Sequence, residues 1–226
     1  MSTPPPTAEL VAPAYVPLRE QCGHALRALI VTGELRAGEL HSIGSLAERL
    51  RVSITPVREA LLDLMREDLV EMVRNRGFRV ATLTDEDLDE LMELRLMLEV
   101  PAIRRIAAHP PAQGLSELRA VVEETTACAV AGDMVGFVAR DRDLHLAILE
   151  LVGNHRLVRT VGLLRDQTRL YGLQQITGSH EFLDSAAEHG QLLDLIEGGK
   201  ADEAADLMRR HLEHTRGLWA GRGERD

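Results

Sequence analysis

Asp141 and His145 stand one helical turn apart in "DRDLHLAILE", and His189 in "AAEHGQLLDLI" and His211 in "DLMRRHLEH" each interrupt an apolar stripe. At helical spacing His145 shares a face with Val138, Asp141, Ile148 and Val152. His189 falls in line with Ala186, Leu193 and Ile196, and His211 with Ala204, Leu207, Met208 and Leu218. A single imidazole on an apolar face is most often a hydrogen-bonded core residue. An ionised carboxylate buried alone is costly, so such groups need partners. Three imidazoles and one carboxylate from three segments make an N/O donor set suited to Zn²⁺, Ni²⁺, Mn²⁺ or Fe²⁺. The pattern leaves two readings open, a metal centre and a set of satisfied core histidines.

A second stretch raises different chemistry. "RVSITPVREAL", residues 51–61, places Pro56 just ahead of Val57, Ala60, Leu61 and Leu64, which share one helical face. Proline is tolerated in the first turn of a helix, where its missing N–H has no intrahelical partner. The spacing therefore predicts a helix from Thr55 or Pro56 to about Glu67, capped by Ser53 or Thr55. Thr55, Arg58, Glu59 and Leu62 point away from its apolar face. A hydroxyl, an arginine and free backbone N–H groups at a helix start suit phosphate oxygens and guanine edges. The bland alternative is a helical hairpin with solvated arginines.

The elements that position these groups follow from breakers and periodicity. A helix is predicted over about 18–32, with Leu26, Leu29 and Ile30 inward and Gly33 at its end. A turn with a possible short strand at "ELRAGEL" follows, then a short helix over 45–50. After the 55–67 helix, "LVEMV" and "FRVATL" alternate as strands around the "RNRG" connection. Thr84 with Asp87 three residues on reads as a capping box. From there six helices are expected near 85–108, 114–131, 133–152, 155–175, 180–198 and 201–219, separated by "HPPAQG", "AGD", "GNH", "TGSH" and "EGGK". The fold class expected is mainly α: a winged helix-turn-helix followed by an all-α six-helix bundle.

Bulk composition agrees. Aromatics are 3% and hydrophobic residues 45% of 226 residues, so the core is Leu, Val, Ile, Ala and Met, which favours helices. Cys22 and Cys128 form no CxxC and indicate no disulfide framework. The N-terminal "MSTPPPTAELVAPAY" lacks the basic and apolar regions of a signal peptide, and no apolar run is long enough to span a bilayer. A cytoplasmic location without a membrane partner is expected, with residues 1–16 as a flexible arm. Net charge is −10, but residues 1–80 carry ten arginines against ten acidic residues, so all the excess acidity lies beyond them. Between Val73 and Thr84 the only charges are Arg74, Arg76 and Arg79, a local basic patch.

The string "LRALIVTGELRAGE…LAERLRVSITPVREALLDLMREDLVEMVRNRGFRV" resembles the winged-helix domain of the GntR family of bacterial transcription regulators. "DRDLHLAILELVGNHRL" and "EHGQLLDLIEGGKADEAADLMRRHLEH" resemble the FCD effector-binding domain of that family's FadR branch, and six helices resemble its VanR-like subgroup. The resemblance implies a DNA-binding domain over 17–82 and an effector- and metal-binding bundle over 85–220. It implies that Arg58 reads bases or clamps phosphate, that Ser53 and Thr55 face the DNA backbone, and that Gly77 is the wing-tip glycine. Arg74 and Arg76 flank that tip. Ile54 replaces a second arginine common in relatives; it can touch a thymine methyl but not chelate guanine, and Arg49 or Arg51 would compensate electrostatically.

In the bundle, the resemblance assigns Asp141, His145, His189 and His211 to one divalent metal (Zn, Ni, Mn or Fe, with Zn expected on purification). It assigns Arg95 to a pocket for a small carboxylate effector; an i,i+4 pair with Glu99 explains the same arginine equally well. Arg165 and Arg169 are weaker candidates, and His214 a neighbour of the site. The remaining histidines, His24, His41, His109, His155 and His180, are expected on the surface or in loops. The functional expectation is a ligand-responsive regulator, a repressor by resemblance, binding a pseudo-palindromic operator in double-stranded DNA as a homodimer. The alternative from another class is a metal-dependent enzyme built on the Asp/His₃ set.

Overall fold

The computed structural model describes residues 16–172 and 181–219. The N-terminal arm and His180 lie outside them, and so do the side chains of Arg169 and Leu218. Helix α1 spans Leu18–Val31, β1 Leu40–His41, α2 Ile43–Leu50, α3 Ile54–Arg66, β2 Val70–Val73 and β3 Gly77–Val80. Six helices follow: α4 (Asp85–Ala108), α5 (Leu115–Ala131), α6 (Met134–Glu150), α7 (His155–Gly172), α8 (Glu181–Glu197) and α9 (Ala201–Trp219).

The first unit folds around one apolar cluster. Leu26 and Ile30 of α1, Leu46 of α2, and Val57, Ala60, Leu61 and Leu64 of α3 meet Leu69, Val70, Phe78 and Val80 of the hairpin. The sheet is antiparallel with order β1-β3-β2, and Met72 sits opposite Phe78 in the β2–β3 register. Thus "ELRAGEL" does supply a strand at its end, Leu40–His41, and His41 is a half-buried strand residue rather than a surface one. Two boundaries differ from expectation. Helix α2 begins at Ile43 because the Ser42 hydroxyl accepts from the Ser45 N–H (3.1 Å). Helix α3 begins at Ile54, one residue early, which makes Pro56 its third residue. The first four N–H groups of a helix have no intrahelical acceptor, so proline loses nothing there either.

Thr84 opens α4 with a full capping box: its hydroxyl accepts from Asp87 N–H (3.1 Å) and Asp87 accepts from Thr84 N–H (2.7 Å). Helix α4 packs most extensively on α9, and α5 lies against α6 and α8. Their shared core includes Ile103, Ile106, Leu144, Ile148, Leu193, Ile196, Met208 and Leu212. The two units touch where Gln167 of α7 donates to the carbonyl of Glu67, the C-cap of α3 (3.1 Å).

Candidate metal centre and nucleic-acid interface

Helix α3 turns its polar edge outward. Ser53, Thr55 and Arg58 are exposed, as is Ile54 at 50%. Ser53 is the N-cap, but its side chain makes no capping bond, so its hydroxyl remains available. Among the described residues nothing pairs with Arg58. Arg51 ends α2 in the left-handed region (φ 55) and is exposed beside this edge. Arg49 is engaged by Glu34 in an exposed ion pair. The wing tip is the turn Arg74–Arg76, with Asn75 at φ 60. Gly77 is not at the tip. It starts β3 at φ 130, and a Cβ there would run into the His41 carbonyl oxygen, so this glycine lets β3 approach β1.

The bundle brings Asp141, His145, His189 and His211 together from α6, α8 and α9, with one candidate ligand atom of each lying within 4.8 Å of all the others. The three imidazoles are buried and Asp141 half-buried. Apolar neighbours on each stripe force this convergence: Ile148, Leu193 and Met208 share the core on which the helices pack. His145 Nε2 lies 3.5 Å and His189 Nε2 3.3 Å from Asp141 Oδ1.

Behind the imidazoles stand carboxylates that the spacing did not single out. Glu99 Oε2 lies 3.4 Å from His145 Nδ1, and Glu188 Oε2 lies 2.7 Å from His211 Nδ1. Glu188 also lies 3.3 Å from the exposed His214. Each carboxylate favours a proton on Nδ1, although Asp141 Oδ1, 3.5 Å from His145 Nε2, draws a proton to the other nitrogen of that ring. The Nε2 atoms of His145 and His211 face each other at 3.2 Å. Two acceptors at that distance repel unless a cation or a proton lies between them. Metal–nitrogen bonds of about 2.0 Å at a tetrahedral angle separate two ligand nitrogens by roughly 3.3 Å. His189 adds an independent sign: neither ring nitrogen has an aligned hydrogen-bond partner, although both are buried. Burial also holds all three imidazoles below their ordinary 6.5, aided at His145 by the positive charge of Arg165. Neutral rings with a carboxylate beside them fit a divalent cation.

A buried ion network abuts the donors. Arg95 Nε donates to Glu99 Oε1 (2.8 Å), so the i,i+4 pair exists, fully buried rather than solvated. Arg165 donates to Glu99 Oε2 (2.8 Å) and Asp141 Oδ2 (3.1 Å). Burial pushes both acids up, but Arg165 and Arg95 at Glu99, and His145, His189 and Arg165 at Asp141, hold them well below the usual carboxylate range. Arg165, ranked behind Arg95 in the sequence, is thus the arginine that touches a donor. The signal for Glu188 was its place beside His189 in "AEH"; the signal for Glu99 was its i,i+4 relation to Arg95.

A winged helix-turn-helix joined to an all-α bundle is the architecture of a DNA-binding regulator. The bacterial regulatory protein profile of the gntR family matches residues 18–80, and the FCD domain profile matches residues 90–214. The Nta operon transcriptional regulator of Aminobacter aminovorans is 29% identical over 190 residues, covering 82% of this chain and 86% of its own length. A probable D-xylose utilization operon transcriptional repressor of Paenarthrobacter nicotinovorans is 30% identical over 184 residues, 81% and 80% of the two chains. The solved structure of E. coli McbR/YncC shares the fold, with TM-score 0.79 and 24% identity over 91% of this chain and 98% of that one. The chain belongs to the GntR family of bacterial transcription regulators and carries an FCD C-terminal domain. It is a regulator and not an enzyme, so the metalloenzyme alternative falls.

Proposed function

We propose that this protein is a metal-dependent, carboxylate-responsive repressor that acts in the cytoplasm as a homodimer. Residues 17–82 bind operator double-stranded DNA: Arg58 reads or clamps, Ser53 and Thr55 meet phosphates, and Arg51, Arg74 and Arg76 add positive charge, with Arg49 a lesser contributor because Glu34 competes for it. Residues 85–220 hold one divalent metal through Asp141, His145, His189 and His211. The observation that carries the metal reading is the approach of the His145 and His211 Nε2 atoms to 3.2 Å, with Asp141 and His189 within 4.8 Å of them.

Charge counting supports the effector class. Asp141, Glu99 and Glu188 contribute three negative charges, and Arg95 and Arg165 two positive ones, with the imidazoles neutral. A divalent cation changes that −1 to +1, which a small monocarboxylate neutralises. The cation supplies a Lewis-acid anchor for that carboxylate. Arg165 bridges Asp141 to Glu99, and Arg95 fixes Glu99 in turn, so the two arginines orient the site. Elemental analysis and native mass spectrometry of the purified protein test the reading. One divalent ion per chain, lost in a His145→Ala, His211→Ala double variant, is expected. Full occupancy in that variant would reduce the histidines to core residues.

A further inference from the structure

Helix α3 begins with a side chain that its packing does not explain. Ile54, its first residue, is 50% exposed, more than any other large apolar side chain described in the winged unit. Its neighbours Val57, Ala60, Leu61 and Leu64 are all buried in the core. A β-branched residue at a helix start neither caps the helix nor answers its dipole; those roles fall to hydroxyls and carboxylates. The bundle does not cover Ile54 either. Gln167 joins the bundle to α3 at Glu67, the opposite end of the helix, about 20 Å away along its axis.

What surrounds Ile54 is polar. Ser53 and Thr55 flank it in the chain, Arg58 stands one turn further on the same edge, and all three are exposed. Groups of these types suit phosphate oxygens and base edges, but an isoleucine does not. Laid against a phosphate or a base amino group, it would strip water from a polar atom and return no hydrogen bond. It gains only where it meets another apolar group. In the major groove the base pairs present one such group, the C5-methyl of thymine; the other features there are hydrogen-bond donors and acceptors.

We infer that Ile54 is a specificity-determining residue of the DNA-reading edge, and that it selects thymine by packing on the C5-methyl. The inference rests on α3 as the operator-binding helix and names the base that one of its side chains chooses. Selection is two-sided. Thymine offers the methyl, and the other bases would lose water at a donor or acceptor that Ile54 cannot satisfy.

Operator sites selected from random duplexes by the full-length protein test this. In a selected site each thymine is replaced in turn by deoxyuridine, which keeps the O4 acceptor and the base pairing and lacks only the methyl. Wild type is expected to bind about fourfold more weakly when one particular thymine of a half-site is replaced, as the loss of a single buried methyl implies. Ile54→Ala is expected to bind the thymine and deoxyuridine sites alike. Its circular dichroism and the salt slope of its DNA binding should match wild type, because the residue is exposed and uncharged. Selection repeated with Ile54→Ala should lose thymine at that position and keep the rest of the site. Deoxyuridine tolerated by wild type at every thymine, a selected half-site without thymine, or a methyl preference undiminished in Ile54→Ala would overturn the inference while sparing α3 as the reader. A wild type that selects no sequence, or an Arg58→Ala variant with full operator affinity, would overturn both.

Discussion

The two halves of this chain treat charge in opposite ways. In the winged unit every buried side chain among the described residues is apolar, and all ten arginines of residues 1–80 lie at least partly in solvent. In the bundle Arg95, Glu99, His145, Arg165, Asp166, His189 and His211 are all buried. The first unit is stabilised as small domains usually are, by apolar burial, and presents its chemistry on an exposed helix edge. The second places its chemistry inside, where each ion must be matched by a counter-ion and where removing one member strands the rest. The winged unit keeps its charges on the outside, whereas the bundle keeps a set of charges inside that are already paired with one another.

Breaking the buried network is therefore expected to give the largest effect. Glu99→Ala leaves the guanidiniums of Arg95 and Arg165 facing each other without their shared acid. Loss of about 3–5 kcal/mol of bundle stability is expected, read as a fall in the urea midpoint by near-UV circular dichroism. A loss under about 1 kcal/mol would mean that water replaces the carboxylate and that the centre is not closed.

Acid comes next, and its sign is fixed by the direction of the histidine shifts. His145, His189 and His211 titrate below the ordinary 6.5 in the folded protein. The unfolded chain then binds more protons, so stability is full above 6.5 and declines as pH falls from there toward the lower folded values. Metal binding needs the neutral rings, so affinity drops over the same acidic range. The winged unit has no buried histidine to add to this effect. Metal affinity and thermal midpoint measured from pH 8 to pH 5 should fall together. A metal-free protein equally stable at both ends would contradict the buried-neutral assignment.

Third is the DNA side. Arg58→Ala is expected to weaken operator binding by about 1–3 kcal/mol and to leave metal content and bundle stability untouched, because Arg58 is exposed and forms no ion pair among the described residues. A gel-shift titration with unchanged affinity would remove α3 from the interface.

How far the sequence could be read differs between the halves for the same reason. Helix α3, the hairpin and the six bundle helices are local: periodicity, Pro56, the Thr84–Asp87 box and glycine breaks mark them within a few residues. The convergence of Asp141, His145, His189 and His211 was legible because each interrupts an apolar stripe. Glu188 was not, and Arg165 stood only as a weaker candidate, since a charged residue on a helix looks solvated until its neighbours in space are known. Gly77 was read as the wing tip because the string carries no trace of how closely β3 approaches the His41 carbonyl.

The smallest effect probes the joint between the halves. On α7, Arg165 reaches Asp141 and Glu99, while Gln167, two residues on, reaches the carbonyl that ends α3. If a metal fills the proposed site and shifts α7, that contact is a route to the C-terminal end of α3. Gln167→Ala removes one side-chain to backbone hydrogen bond, worth about 0.5–1.5 kcal/mol, and should barely lower stability. Its signature lies in coupling. If adding metal changes operator affinity in wild type, operator must change metal affinity by the same factor. In Gln167→Ala that factor should move toward one, while each affinity measured alone stays near wild type. Isothermal titration of metal with and without operator measures it. A coupling factor identical in variant and wild type would mean that the halves communicate by another route.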